Sequence, residues 1–275
     1  MLGRSARARH VLAVLVLFAA GPAAAADAPP ERLDVDYLRG FVSDARDLVT
    51  APARWDGMDW LEAGGVVGAG VGVYFGLDVP VRRAARRNAG PAANRAADAG
   101  QAFGNGLYVV PGLLLAYAGG RLSDDDKLSR AALDAGESLA LASAVAATVK
   151  GLAGRERPYV SGDHAAWHGP SFTNDRFSFP SGHTTAAFSV ATIFASEYGD
   201  HAWVPYLAYG LAGVAAAARV ERDKHWASDV FAGGALGYFV SKSVLASRRK
   251  KAAKFAVVPW IDATGATGAR VCAKF

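Results

Sequence analysis

The chain has 275 residues, 52% of them apolar, a net charge of +5 and one cysteine. That length allows one large domain with a sizeable core. The charge is too modest and scattered, without any basic and aromatic run, to mark a nucleic-acid binder, and the lone Cys272 excludes an internal disulfide or a cysteine-built zinc site.

The N-terminus carries a targeting pattern. Arg4, Arg7 and Arg9 precede an apolar run from Val11 to Ala20, then Gly-Pro and Ala23 to Ala26. A basic region, a short apolar core and an A-x-A site predict a signal peptide over residues 1–26, cleaved after Ala26. An uncleaved anchor is the other reading, and its apolar core is short for a membrane span. Either way the chain is expected to be exported, with periplasmic or inner-membrane residence.

Segment 27–55 contains an amphipathic stretch at 31–50. Leu33, Tyr37, Leu38, Phe41, Val42, Ala45, Leu48 and Val49 recur at helical spacing, with charged residues mostly between them. This predicts a helix lying on a bilayer or on the body of the protein. Six apolar segments follow, each predicted helical: about 60–77, 104–119, 134–150, 184–198, 202–218 and 229–246. The fold class expected is all-α.

Several of these segments hold only 11 to 15 uninterrupted apolar residues, against the roughly 20 that a span needs. Arg82, Arg83, Arg86 and Arg87, and later Arg248, Arg249, Lys250 and Lys251, both read as cytoplasmic anchors. The two conflict for an exported N-terminus, so the number of crossings stays open. The Asp-rich loop at 121–130 reads as a solvated cap for the next helix. The basic segment from 248 leads into two β-prone runs around a Gly-containing turn, which predicts a short C-terminal β-hairpin.

Three stretches carry chemistry. In "KGLAGRERPYV", Lys150 is followed seven and eight positions later by Arg157 and Pro158, at the mouth of a helix ended by Gly151 and Gly154. In Pro180-Ser181-Gly182-His183 the chain turns, and Ser181 is placed to cap a helix starting near His183. In "ARVERDKHWASDV", Arg219 precedes His225, and Asp229 lies four residues beyond it, spaced to accept a hydrogen bond from the imidazole on a shared helix face. Each stretch alone has an ordinary structural reading. Together they offer three fixed cations, two histidines and one orienting carboxylate at helix ends, which is what phosphoryl transfer without a metal requires.

Lys-x6-Arg-Pro, Pro-Ser-Gly-His and Arg-x5-His-x3-Asp, in this order between apolar helices, resemble the three signature motifs of the type 2 phosphatidic acid phosphatase and vanadium haloperoxidase superfamily. The resemblance covers about residues 60–246, implies a six-helix bundle, and makes residues 56–247 the catalytic domain. It also implies roles. His225 would attack phosphorus and form a phosphohistidine, with Asp229 keeping it neutral and aimed. His183 would protonate the leaving oxygen and then activate water. Lys150, Arg157 and Arg219, with Ser181 and the Gly182 N–H, would cradle the phosphate. No metal or other cofactor is implied, and activity is expected to peak at mildly acidic to neutral pH. The family usually has Ser before the Arg of the third motif, where this chain has Ala218, which removes one weak contact.

The apolar helices and the 31–50 segment favour a lipid-linked phosphomonoester or diphosphate, and a membrane, as partners. A soluble periplasmic acid phosphatase, a vanadate-dependent haloperoxidase and an inactive membrane structural protein are the alternatives. His164 and His168 are four apart but lack the Glu and helical continuation of a zinc motif, so a loop near the substrate mouth is expected for them. His201 is expected to start a helix. Trp167 and Trp226 flank the motifs, as lipid contacts or as core.

Overall fold

In a computed structural model of the chain, residues 33–261 and 267–273 are described; the expected signal peptide lies outside them. Among the described residues the chain is predominantly helical. The α-helices are α1 (Val35–Thr50), α2 (Gly57–Gly76), α3 (Asp78–Asn88), α4 (Pro91–Gly100), α5 (Gly106–Leu122), α6 (Asp126–Ala153), α7 (Gly182–Glu197), α8 (Trp203–Glu221) and α9 (Ala227–Lys254). Strands β1 (Phe255–Ile261) and β2 (Thr267–Ala273) pair antiparallel, with Val257 opposite Val271.

Helix starts follow their capping residues. Asp34 accepts a hydrogen bond from the Tyr37 N–H, Asp56 and Asp59 form a reciprocal capping box, and Asn105 accepts from Leu107. Asp125 accepts from the Leu128 N–H, so α6 begins at Asp126 rather than near residue 134. Helices α3 and α4 were not expected. Their sequences, "DVPVRRAARRN" and "PAANRAADAG", contain no apolar run to announce them. His201 lies two residues before α8, where its carbonyl accepts from the Val204 N–H.

Helix α7 is the axis of the structure, packed by α6, α8 and α9. Ala187, Phe188 and Ala191 meet Ala212, Ala215 and Ala216 of α8, while Ile193 meets Ala131, Ala135 and Leu245. Small residues let the backbones approach closely. A Cβ on Gly233 would come within 2.5 Å of the Ser181 carbonyl oxygen, and one on Gly237 within 2.4 Å of that of Thr185. The buried hydroxyls of α7 are satisfied internally: Thr185 donates to the Ser181 carbonyl, Ser189 to Thr185 and Thr192 to Phe188. This polar, closely packed helix positions the Pro-Ser-Gly-His segment at its N-terminus.

Helix α1 lies on the body of the protein and leaves part of its apolar face exposed. Phe41, Ala45 and Leu48 pack against Leu141, Val240 and Val244, while Val35, Leu38 and Val42 point outward. Asp44 is buried and accepts from Ser247 at 2.6 Å, beside Arg248, which pairs with Asp134 and Glu137 of α6.

Helix α6 and residues 227–250 of α9 are long and apolar enough to cross a membrane. The pair α2–α3 is bent by 54°, and residues 91–104 with α5 by 51°; counting each pair as one span gives four. A groove of about 920 Å³ runs between α2 and α9. It extends from Trp55, Asp59 and Lys242 at one end to Tyr74, Trp167, Phe179 and Ser228 at the other.

Candidate active site

The three motifs converge where α6 ends and where α7 and α9 begin. Helix α6 stops at Gly154, whose φ of 56° places it in the left-handed region. A Cβ there would lie 1.9 Å from the Gly169 carbonyl oxygen, so the position admits only glycine. One turn earlier, Lys150 Nζ donates to the carbonyls of Phe177 (2.9 Å) and Pro180 (2.5 Å), tying the first motif to the second. Arg157 donates to Asn174 at 3.0 Å, and its buried Nε has no acceptor in the chain among the described residues.

Ser181 sits at the N-cap of α7, yet its side chain does not cap the helix as expected. Its hydroxyl instead accepts from Thr184 Oγ1 at 2.9 Å, and its backbone N–H donates to the Asp229 carbonyl. Among the described residues the first-turn N–H groups of Gly182, His183 and Thr184 find no acceptor in the chain. Such a turn presents donors and a positive dipole end to an anion.

Arg219, in the last turn of α8, is held by Gln101, which accepts from its Nη1 at 2.8 Å. The Arg219 Nε is buried without an acceptor among the described residues. Ala218, where the motif usually has Ser, is buried and packs toward Gly100.

The third motif departs from its expected geometry. His225 precedes α9 in a loop, so it shares no helix face with Asp229, the third residue of that helix. Its Nδ1 lies 2.8 Å from the Ser178 carbonyl oxygen and 3.7 Å from Asp229 Oδ2. The direct hydrogen bond to Asp229 expected from the spacing is therefore replaced by one to a backbone carbonyl. Asp229 Oδ2 accepts instead from the Trp226 N–H, closing the N-terminus of α9, and from Ser178 Oγ at 2.5 Å. A carbonyl can only accept, so Nδ1 carries the proton and Nε2 keeps its lone pair. That assignment leaves the Nε2 lone pair free to take a proton or to form a bond.

Residues 131–253 match the family model of the PAP2 superfamily. A stretch of 66 residues is 42% identical to the lipid A 1-phosphatase of Porphyromonas gingivalis, covering 24% of this chain and 15% of that protein. The chain thus spans about a seventh of the length of that curated relative. Two solved structures are similar at 19% identity. Aquifex aeolicus LpxE has a TM-score of 0.49 over 62% of this chain and 95% of that one. A PAP2-type phosphatidylglycerolphosphate phosphatase from Bacillus subtilis has a TM-score of 0.48 over 78% and 96%.

Both histidines of the site are held neutral. Burial pushes His183 down to about 4, helped by Arg219, His225, Arg157 and Lys150. Burial also takes His225 to about 4, against the opposing pull of Asp229 and with Lys150 and Arg219 lowering it further. Unfolded, each imidazole titrates near its usual 6.5. Between pH 6.5 and 4 the unfolded chain therefore binds protons that the folded chain refuses. The stability these groups contribute is complete above pH 6.5 and is lost as the pH falls through that window. The thermal midpoint in detergent is expected to fall from pH 7 to pH 5, and His225→Asn is expected to flatten that slope. A slope unchanged by the substitution would contradict the neutral assignment.

Other residues fall around this centre. His168 Nε2 pairs with Glu156 at 2.8 Å, and the His164 ring lies 5.0 Å from that of Tyr74. Among the described residues neither joins a metal-ligand cluster. Trp226 is buried and donates to the Glu156 carbonyl, so it belongs to the core, whereas half-exposed Trp167 lines the groove. Sequence reasoning missed Gln101, Ser178, Asp78 and Arg155, all of which touch motif residues. Only Arg155 left a trace in the sequence, as a second arginine in "GRERP".

Proposed function

We propose that the protein is an exported phosphatase of the PAP2 type, hydrolysing a lipid-linked phosphomonoester or diphosphate through a phosphohistidine. The observation that carries this reading is the His225 tautomer, with Nδ1–H donated to Ser178 and an unprotonated Nε2. In the first step Nε2 attacks phosphorus as the P–O bond to the leaving group breaks, and His183 gives that oxygen a proton. In the second step His183 takes a proton from water, the water oxygen attacks phosphorus, and the N–P bond breaks to release phosphate.

Lys150, Arg157, Arg219, Ser181 and the Gly182 N–H hold the phosphoryl oxygens in this scheme, and their charge offsets that of the transition state. His183 must be protonated for the first step. Burial is the main cause of the lowered His183 pKa, and the negative charge of a bound phosphate counters the cations that add to it, moving His183 toward its acid form. That coupling supports an activity maximum at mildly acidic to neutral pH.

The α2–α9 groove supports a lipid over a soluble ester. Its upper end is formed by Phe179 and Ser228, neighbours in sequence of Pro180 and Asp229, and its walls are apolar side chains. We place the catalytic unit at residues 56–247, with six apolar helices (α2 and α5 to α9) forming the bundle and the site facing the periplasm. The β1–β2 pair is assigned as a C-terminal hairpin outside that unit.

Phosphate release should be compared in detergent micelles for long-chain and short-chain lipid phosphates and for a soluble aryl phosphate. Gly70 faces Phe231 across the groove, with a built Cβ 3.5 Å from its ring. Gly70→Leu is therefore expected to lower kcat/KM about tenfold for the long-chain ester, the size of effect that one misfit apolar group produces, and to spare the short-chain one. Equal turnover of all three esters by both proteins would favour the soluble acid phosphatase instead.

A further inference from the structure

We propose that Arg155 is a positioning residue for this reaction, acting with Asp78 to fix the Asp229 carboxylate and the Ser178 carbonyl that together aim His225. The inference rests on the proposed role of His225, and it concerns residues that no motif of the sequence marks.

Arg155 is fully buried, as are Asp78 and Asp229. One guanidinium nitrogen donates to Asp229 Oδ1 at 2.5 Å and to Ser228 Oγ at 2.8 Å. The other donates to Asp78 Oδ2 at 2.6 Å and, with Nε, to the His164 carbonyl. Asp78 in turn accepts from the Ser228 N–H at 2.8 Å and from Ser228 Oγ at 2.7 Å. Two carboxylates from α3 and α9 are thus clamped on one planar cation, a geometry suited to Arg and closed to Lys. Tyr74, Trp167 and Trp226 lie around the guanidinium at 5.0, 4.8 and 5.5 Å.

The link to His225 runs through Ser178 at both ends. The Ser178 N–H donates to the Arg155 carbonyl at 3.0 Å, and its hydroxyl donates to Asp229, which Arg155 holds. The Ser178 carbonyl then accepts from His225 Nδ1. Moving Arg155 moves the acceptor that sets the His225 tautomer.

Charge gives the cluster a second consequence. Asp78, Arg155 and Asp229 sum to one net negative charge behind an imidazole that becomes cationic when Nε2 bonds to phosphorus. A buried ion cluster is a costly way to gain stability, since apolar side chains of similar volume often serve as well. Orientation and charge at His225 are what such side chains could not supply.

The test uses the full chain in detergent, with Arg155→Lys, Arg155→Gln and Asp78→Asn. For Arg155→Lys the proposal expects KM within about threefold and kcat lowered about 30-fold or more, the loss of one charge-assisted contact that acts in the transition state. For Arg155→Gln, histidine-ring NMR is expected to show the His225 titration midpoint moved upward, because a cation is removed while Asp229, Lys150, Arg219 and His183 still face the ring. Asp78→Asn, which removes a negative charge, is expected to move it downward. The NMR readout needs no substrate, so it decides the positioning role even if no phosphate ester is hydrolysed. Folded variants with unchanged kcat and unmoved midpoints would overturn the proposal. So would a loss confined to KM, or a lowered thermal midpoint with His225 titrating as before, which marks a purely structural ion cluster.

Discussion

His225→Ala is expected to lower phosphate release from a lipid phosphate by about 10⁴-fold or more, with KM little changed, because it removes the nucleophile and leaves the oxygen-binding groups in place. The His225 imidazole holds none of the cradle side chains among the described residues: Lys150 and Arg157 are held by the 174–180 loop, and Arg219 by Gln101. Binding of a phosphate-like anion should therefore survive the substitution. His183→Ala is expected to cost less, about 10² to 10⁴-fold, the usual range for a general acid that water can partly replace. Steady-state kinetics of the two variants in mixed micelles checks the order. A His183 variant slower than the His225 variant would reverse the roles assigned here.

The eight residues singled out from spacing are brought to one end of the bundle, yet the geometry that governs them was not legible. Spacing suggested that Asp229 accepts from His225 on a helix. A break in the helix before Ala227 gives that contact to the Ser178 carbonyl. The apolar segment expected at 229–246 left His225 outside it, so the shared helix face rested on the four-residue spacing alone. Asp78 and Ser228 meet across 150 positions, and Gln101 reaches Arg219 across 118. Partners so remote carry no local signal. Helices α3 and α4 were hidden for a different reason: they cover the site with arginine, alanine and glycine rather than with an apolar face. Arg82 of α3 clamps Asp223 at 2.7 and 2.9 Å and the Pro158 carbonyl at 2.7 Å, binding the first and third motif loops together. The six apolar segments were legible because their burial demands a pattern.

Gly104→Ala is expected to damage both the fold and the site. Gly104 closes a short 3-10 turn, Gln101–Gly104, and a Cβ on it would lie 2.2 Å from the His183 carbonyl oxygen and 2.8 Å from its carbonyl carbon. Neither atom belongs to a flexible side chain, so the backbone itself must move. Either α7 shifts away with His183, or the turn shifts away with Gln101 and the arginine it holds. Both separate the acid from the phosphate cradle. Overpacking of this kind costs about 1–3 kcal/mol of stability, and a displacement near 1 Å at the reacting groups costs about 100-fold in kcat. Gly112→Ala in α5, where no atom lies within 4 Å of a built Cβ, is the control expected to leave both unchanged. Wild-type kcat in Gly104→Ala would show that His183 does not depend on this contact.

The central claim is covalent catalysis by His225, and trapping the intermediate tests it most directly. Full-length protein is mixed with a lipid phosphate radiolabelled in its phosphoryl group, in micelles with excess chelator, then quenched with alkali within one turnover. The account predicts label on the protein that is stable to alkali, released by acid and absent from His225→Ala. Undiminished phosphate release by His225→Ala, or release that stops with chelator and leaves no protein-bound label, would contradict it.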